Sequence, residues 1–203
     1  MESPLHSNKG NLPSEKSPKR GTKQRIFIIF IAIFCIASIG RYLVRTYKIA
    51  SVSMEPTFYK GDQVMAFRFL KSQELTRGDI VIFPHPTSPK KDWVKRIVGL
   101  PEENLQIRQQ QVFINDKALN EPYAKHTEPP ASNLPVSRDD FGPILIPTGQ
   151  VFVLGDNREL SADSRQFGLI QIKDISRKAK WIVMSRKNGE ITYPWKRIGA
   201  RTE

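Results

Sequence analysis

One long run of apolar residues dominates the N-terminal part of this 203-residue chain. Residues 26–40 contain no charged side chain, and extending the run to Val44 gives nineteen residues. That length is close to what an α-helix needs to cross the hydrocarbon core of a bilayer. The extension includes Arg41, whose guanidinium can reach the headgroup region along its aliphatic stem. The pattern predicts a transmembrane anchor over residues 26–44.

After the anchor, the hydrophobic positions no longer recur with a helical period. Short runs rich in Val, Ile and Phe alternate with clusters of Gly, Pro, Asn and Asp, which is typical of antiparallel strands joined by turns. Asn115-Asp116 predicts a tight hairpin, and the Pro-rich segment 121–147 predicts an extended excursion with little regular structure. The predicted strands are QVMAFRF, DIVIF, WVKRIV, QVFIN, VFVLG, WIVMS and ITYPW. The fold class predicted is mostly β, with a compact antiparallel domain over residues 45–203 on a single transmembrane helix.

The distribution of charge predicts the orientation of the anchor. Residues 1–25 hold six basic and two acidic groups, and their composition predicts a disordered cytoplasmic tail. Only three basic residues closely follow the apolar run, so the N-terminus is expected in the cytoplasm and the remainder outside. A cleaved secretory signal is the alternative, since Ser38 and Gly40 are small. The long N-terminal segment and an Arg41 directly after such a cut argue against it.

The distribution of charge along the chain and its few Cys and His residues limit the classes of partner that we expect. The net charge of +12 is spread without a basic run of five, which favours a surface near anionic lipid over a nucleic-acid groove. The single cysteine, Cys35, lies inside the apolar run, and three histidines without a Cys-x-x-Cys make a zinc site improbable. We therefore expect the lipid bilayer as a partner, and neither nucleic acid, metal nor cofactor.

The first stretch that suggests chemistry is SVSMEPT, residues 51–57. Pro56 disfavours a helix at Glu55, so Ser53 is expected on an extended turn. Side chains at positions i and i+2 of an extended chain point to the same side, which would bring Ser51 and Ser53 together. One hydroxyl could then attack a carbonyl while the other stabilises the resulting oxyanion. The alternative is a turn that carries two solvated serines.

The second stretch is DWVKRIVGLP, which predicts a strand with Trp93, Lys95 and Ile97 on one face. Large apolar neighbours would remove water from the Lys95 ammonium and lower its pKa. For the amine to be neutral at pH 7, its pKa has to fall by about 3.4 units from about 10.4. The alternative is a lysine that extends from an edge strand into solvent.

The third stretch is GDNRELSADSR, residues 155–165, directly after an apolar run. Functional loops often sit at such strand ends, although a solvated loop with an exposed Asp163–Arg165 pair is the simpler expectation. Arg158 occupies a position where an EF-hand needs Asp or Asn. The chain lacks a G-x-S-x-G elbow, and its histidines lie at positions 6, 85 and 126, so a histidine-based mechanism is not expected.

The order of SVSMEPT, RGDIVIF, KRIVGLP and GDNRELSADSR behind an apolar N-terminal segment resembles the type I signal peptidases. The resemblance covers about residues 49–179. It implies a membrane-bound serine endopeptidase that cleaves the signal peptides of exported preproteins after small residues at −1 and −3. It further implies a mostly β catalytic domain on the outer side of the bacterial cytoplasmic membrane, without metal or cofactor.

The resemblance also implies roles for individual residues. Ser53 corresponds to the nucleophile and Lys95 to the general base. Ser51 corresponds to the side chain that stabilises the oxyanion together with the Ser53 N–H, and Ser161 to the serine that orients the base. Asp156, Asp163 and Arg165 correspond to residues that support the site structurally. Ile49, Met54 and Ile82 correspond to residues that line pockets for the substrate's small side chains.

Two departures from the family pattern are Glu159-Leu160, where Asp-Asn is usual, and Glu102-Glu103, where Gly-Asp is common. Neither touches the proposed dyad, so we expect them to change loop geometry more than activity. The short interval between Lys95 and Gly155 indicates only a small accessory subdomain. Two other functions remain open: a specialised Ser/Lys processing peptidase of one export system, and a catalytically inactive, membrane-anchored β module that binds extended peptides.

Overall fold

The computed structural model describes residues 21–69, 74–85, 88–126 and 140–185. The chain divides into two compact units, one ending at Ile39 and the other beginning at Gly40. Most of the predicted tail and the predicted strand ITYPW lie outside the described residues.

Helix α1 spans Thr22–Leu43 and contains the apolar run. Its 22 residues rise about 33 Å, and its most apolar 18-residue window has a mean hydropathy of 2.4. None of its side chains is buried within the described structure. By length and composition the helix can cross a membrane. It begins four residues before the start of the predicted anchor and ends one residue before the anchor's predicted end.

Among its described residues the second unit contains eleven strands, and the predicted fold class, mostly antiparallel β, is confirmed. The six predicted strands within the described residues all lie in or overlap these strands. The strands in chain order are β1 (Val44–Lys48), β2 (Gln63–Arg68), β3 (Ile80–His85), β4 (Ser88–Gly99), β5 (Asn104–Arg108), β6 (Gln111–Ile114), β7 (Lys117–Ala118), β8 (Phe141–Leu145), β9 (Gln150–Leu154), β10 (Ile170–Gln171) and β11 (Arg177–Met184).

The larger sheet has seven strands in the order β1-β2-β11-β3-β4-β9-β10, and all its pairs are antiparallel. Strand β4 is therefore interior and hydrogen-bonds to β3 on one side and β9 on the other. Its side chains alternate between two apolar clusters because strand residues point to opposite faces. Ile97 packs in one cluster with Phe83 and Val153, while Val98 packs in the other.

The smaller sheet has the order β7-β6-β5-β8 and packs against the larger one. Val98 and Phe152 of the larger sheet share a buried cluster with Leu105 and Val112 of the smaller. The predicted hairpin is confirmed, since β6 and β7 pair antiparallel around Asn115-Asp116. Both turn residues have positive φ, 48° and 64°, as a primed hairpin turn requires.

The prediction for the Pro-rich segment 121–147 is wrong at its C-terminal end. Phe141–Leu145 forms strand β8, which pairs with β5. The aromatic ring of Phe141 packs on Phe152 at a centroid distance of 5.2 Å, and this apolar contact fixes the strand against the core. Residues 127–139 of the segment lie outside the described residues.

Candidate active site

The serine turn, defined here as residues 51–58, is closed by backbone hydrogen bonds rather than extended as predicted. The Glu55 N–H donates to the Val52 carbonyl at 3.1 Å, which folds the chain back at this point. The two serine hydroxyls nevertheless meet, with Ser51 Oγ and Ser53 Oγ 3.1 Å apart. Ser53 is only 7% exposed, so the alternative of two solvated serines is wrong for Ser53.

The serine turn is held by apolar side chains that project beneath it. Met54 and Phe58 are completely or almost completely buried, and they pack with Ile49 and Ile82 in one cluster. The three residues predicted to line substrate pockets, Ile49, Met54 and Ile82, therefore lie together under the turn. Their contact with a substrate stays a prediction.

Lys95 lies on the interior strand β4 and approaches the serine turn. Its Nζ atom is 2.8 Å from Ser53 Oγ, and its residue is 4% exposed. The Trp93 ring, on the same strand face, lies 5.4 Å from the Nζ atom. The alternative of a lysine that reaches solvent from an edge strand is wrong, because β4 is flanked on both sides and the ammonium is buried.

Burial lowers the pKa of Lys95 from 10.5 to about 8. The carboxylates of Asp163 and Asp156 act in the opposite direction and Arg165 adds to the lowering. With a pKa of about 8, about a tenth of these amines are neutral at pH 7. Part of the amine is therefore neutral at pH 7. Its pKa does not fall to 7 or below, which a mostly neutral lysine would require.

The charged loop, residues 155–165, is buried, so the expectation of a solvated loop is wrong. Asp156, Asn157, Arg158 and Glu159 are each at most 2% exposed, whereas Leu160 is 44% exposed. Burying so many charged groups is costly unless each has a partner. These partners come from β4, from the serine turn and from residues 121–126.

The first partner of the charged loop is β4, next to Lys95. Arg96 holds Asp156 by two hydrogen bonds, Nε to Oδ1 at 2.8 Å and Nη2 to Oδ2 at 2.7 Å. The Thr57 hydroxyl also donates to Asp156. The Arg96 guanidinium lies 3.9 Å from the centre of the Tyr123 ring. Asp156 therefore ties the charged loop to β4 and to the serine turn at once.

The predicted Asp163–Arg165 pair forms, but it is buried rather than exposed. Arg165 binds the Asp163 carboxylate through Nε at 2.8 Å and Nη2 at 2.9 Å. The Gly155 N–H donates to Asp163 at 3.1 Å, and Asp163 caps helix α2 (Ser164–Phe167). Burial alone raises the pKa of Asp163, but the Arg165 guanidinium and hydrogen bonds from Ser161 and Gly155 hold it below its usual value. The carboxylate stays charged and its loop stays closed.

Ser161 and Ser53 approach each other over Gly155. A Cβ atom on Gly155 would lie 2.2 Å from Ser161 Oγ and 2.5 Å from the Ser53 carbonyl oxygen. Only glycine fits between these two groups. Ser161 donates to the Asp163 carboxylate, and its predicted role in orienting Lys95 stays a prediction.

The N-terminal end of the predicted Pro-rich excursion completes the site, a role that the sequence did not indicate. This strap, residues 121–126, runs along the charged loop. Glu121 binds Arg158 through both oxygens, at 2.6 and 3.0 Å, and both side chains are nearly inaccessible. Lys125 N–H donates to the Asp156 carbonyl at 2.7 Å, and the Lys125 carbonyl accepts from Arg158 N–H at 3.0 Å. No local pattern predicts these contacts, which join positions 31 to 37 residues apart.

The two departures from the family pattern are accommodated locally. Glu103 pairs with Arg77 and accepts the Leu100 N–H at 2.7 Å, which closes the turn after β4. Glu159 is buried in the charged loop, and its charge acts on the nearby His126 imidazole. Neither departure separates Ser53 from Lys95.

Within the described ranges, no group of three or more His, Cys, Asp and Glu side chains is arranged to hold a metal ion. The acidic side chains around the dyad are instead engaged by arginines, as the pairs of Asp156 and Asp163 illustrate. The arrangement can transfer a proton between a hydroxyl and an amine in a water-poor setting.

Comparisons with known proteins show the family to which the chain is similar. The family model described as signal peptidase, peptidase S26, matches residues 22–184. Signal peptidase I T of Bacillus subtilis (strain 168) is 38% identical over 166 residues, covering 79% of this chain and 86% of the relative. Signal peptidase I of Bacillus amyloliquefaciens is 36% identical over 177 residues, covering 83% and 90%. The crystal structure of a signal peptidase I from Enterococcus faecalis V583 matches with 31% identity and a TM-score of 0.42, covering 52% of this chain and 97% of that one.

The buried Arg96–Asp156 pair generates a prediction for stability. Asp156→Ala leaves the Arg96 guanidinium buried without its counter-charge, which costs about 3–5 kcal/mol of unfolding free energy. Urea denaturation of the detergent-solubilised protein, followed by circular dichroism, measures the loss. Asp140→Ala, at an exposed carboxylate, is the control and is expected to cost less than about 1 kcal/mol. Equal unfolding free energies for the two variants would contradict the role given to Asp156.

Proposed function

The chain belongs to the signal peptidase family, peptidase S26, and we propose that it cleaves signal peptides with a dyad of Ser53 and Lys95. The observation that carries the proposal is the 2.8 Å separation of Lys95 Nζ and Ser53 Oγ with the amine 4% exposed. A serine hydroxyl is a weak nucleophile until a base removes its proton. A lysine amine is such a base only where its environment keeps part of it neutral.

The first step forms an acyl-enzyme. The neutral Lys95 amine takes the proton of Ser53 as Oγ attacks the carbonyl carbon of the substrate's −1 residue. The carbonyl oxygen becomes an oxyanion, which accepts hydrogen bonds from the Ser53 N–H and the Ser51 hydroxyl. Each such donor contributes about 2.7–4 kcal/mol in comparable sites. The Lys95 ammonium then gives its proton to the leaving amine as the peptide bond breaks.

The second step returns the enzyme to its starting state. Lys95, neutral again, takes a proton from a water molecule that attacks the acyl carbon. The signal peptide leaves with a free carboxyl group and Ser53 regains its proton from the amine. Lys95 thus alternates between base and acid, and both roles need a pKa near the working pH.

The surroundings of Lys95 suit this alternation because they act in both directions. Burial favours the neutral amine, while the carboxylates of Asp163 and Asp156 favour the ammonium that each proton transfer creates. Ser161 is proposed to orient the amine, since it packs over Gly155 next to Ser53. Asp156, Asp163 and Arg165 support the site through the hydrogen bonds that bury the charged loop.

Substrate selection is proposed to depend on the apolar cluster under the serine turn. Ile49, Met54 and Ile82 belong to this cluster, which adjoins the nucleophile in sequence and in space. A shallow apolar surface here would accept small side chains at the −1 and −3 positions and exclude large ones. The substrate is proposed to lie extended along a sheet edge.

Helix α1 is proposed to anchor the enzyme in a bacterial cytoplasmic membrane. The helix is long and apolar enough to span the bilayer. Six basic residues precede the apolar run and three closely follow it, which favours a cytoplasmic N-terminus. The catalytic domain, residues 45–203, would then face the outer side, where the cleavage sites of exported preproteins emerge.

The dyad predicts the effect of two substitutions. Ser53→Ala removes the nucleophile and Lys95→Ala removes the base, so each should reduce preprotein cleavage by about 10³-fold or more. Cleavage of a purified preprotein is followed by gel, and the new N-terminus is sequenced to identify the −1 residue.

Lys180→Ala, at an exposed lysine of β11, is the matched control and should retain parental activity. Parental cleavage by folded Lys95→Ala would contradict the dyad. Absence of cleavage by the parental protein, together with no labelling of Ser53 by a penem, would favour the inactive peptide-binding module. Cleavage of one preprotein among several unrelated ones would indicate a specialised peptidase.

The pKa of Lys95 predicts the pH dependence of the reaction. Because the neutral amine is the active form, kcat/KM should rise with pH and level off above a pKa of about 8. Between pH 7 and pH 9 the increase should be about tenfold. The same lowered pKa means that burying the charge costs stability below about pH 8, and this cost is relieved between pH 8 and 10.5. A kcat/KM that does not change between pH 7 and pH 9 would contradict Lys95 as the base.

A further inference from the structure

We propose that Asn157 is a positioning residue that orients the Ser53 N–H toward the oxyanion. The inference rests on the proposed function, because it concerns the backbone donor of that mechanism. Asn157 lies in the charged loop, directly after Asp156, and was not singled out by its sequence context. It contacts the serine turn through hydrogen bonds to Val52 and Ser53.

Asn157 holds both carbonyl groups that flank the nucleophile. Its side-chain Nδ2 donates to the Val52 carbonyl at 3.3 Å, and its backbone N–H donates to the Ser53 carbonyl at 3.1 Å. The Val52 carbonyl also accepts the Glu55 N–H at 3.1 Å. One residue therefore fixes two successive peptide planes of the serine turn.

The Val52 carbonyl belongs to the same peptide group as the Ser53 N–H. In a trans peptide the C=O and N–H bonds point in opposite directions. Holding the Val52 oxygen toward Asn157 therefore directs the Ser53 N–H away from Asn157. No acceptor for that N–H is found among the residues that the structure describes, so the donor is left for a ligand.

The same contacts orient the Ser53 N–H and also make it a stronger hydrogen-bond donor. A carbonyl that accepts hydrogen bonds becomes more polarised, and the N–H of the same peptide becomes a better donor. The Val52 carbonyl accepts two, from Asn157 and from Glu55. Removing the Asn157 amide leaves one of them and frees the peptide plane to rotate.

The Asn157 amide contributes little net stability, because its oxygen is buried without a hydrogen-bond partner among the described residues. The residue is 1% exposed, and within the described residues its Oδ1 has no hydrogen-bond partner. A buried, unpaired carbonyl oxygen destabilises a fold. The loop position itself is held by backbone contacts, because Lys125 bonds to Asp156 and Arg158 on either side. Truncating the Asn157 side chain should therefore leave the fold intact.

The test compares Asn157→Ala with the parental protein, full-length in detergent, on a signal-peptide substrate. We expect kcat to fall by about 10- to 100-fold, less than the loss of a whole oxyanion donor, with KM within about twofold. A peptide aldehyde with Ala at −1 forms a tetrahedral adduct with Ser53, and its affinity should fall in proportion to kcat/KM. The pH at which kcat/KM reaches half its plateau should not move.

Gln111→Ala is the matched control. Gln111 Nε2 also donates a carboxamide hydrogen bond to a backbone carbonyl, that of Leu119 at 2.7 Å, but in the smaller sheet. Gln111→Ala should leave kcat and the affinity for the aldehyde unchanged. If Asn157→Ala does not fold, Asn157→Ser is tested instead. The serine side chain is too short to reach the Val52 carbonyl, so the same losses are expected.

A parental kcat in folded Asn157→Ala or Asn157→Ser would overturn the proposal, as would a loss of kcat without loss of aldehyde affinity. Ser53→Ala and Lys95→Ala separate this outcome from failure of the proposed function. If those two variants are inactive and Asn157→Ala is fully active, the dyad stands and only the role of Asn157 is wrong. If those two variants cleave the substrate, the proposed function itself is wrong.

Discussion

The site depends on one constraint: an amine must stay buried next to a hydroxyl without remaining fully charged. Strand β4 imposes it, because an interior strand has no edge from which Lys95 can reach water. The Nζ atom lies instead 2.8 Å from Ser53 Oγ and 5.4 Å from the centre of the Trp93 ring. Nearby carboxylates limit the fall of its pKa, so that the amine keeps enough basicity to accept a proton.

The buried charges around the dyad are better explained by geometry than by stability. Replacing a buried ion pair with apolar residues is often neutral or stabilising, so such pairs are weak evidence for a stability role. Here the pairs of Asp156 with Arg96 and of Glu121 with Arg158 join separate segments to the charged loop. Because hydrogen bonds are directional, they fix where the loop lies relative to Ser53.

Several features of this arrangement could be predicted from sequence because their signals are local. The apolar run predicts α1, short runs rich in Val, Ile and Phe predict β2, β3 and β4, and Asn115-Asp116 predicts the hairpin. The loop's burial could not be predicted in this way, since its partners Arg96 and Glu121 lie 60 and 37 residues from the positions they bind. Strand β5 has only two inward apolar residues, Leu105 and Ile107, too few for a clear pattern.

The protonation of Lys95 itself is the most direct test of this account. Nuclear magnetic resonance of protein labelled with ¹³C and ¹⁵N at lysine side chains, titrated from pH 6 to pH 11, reports the ammonium directly. The Lys95→Arg variant identifies its signal. We expect a titration midpoint at about 8. A midpoint close to 10.5, the value of a hydrated lysine, would contradict it.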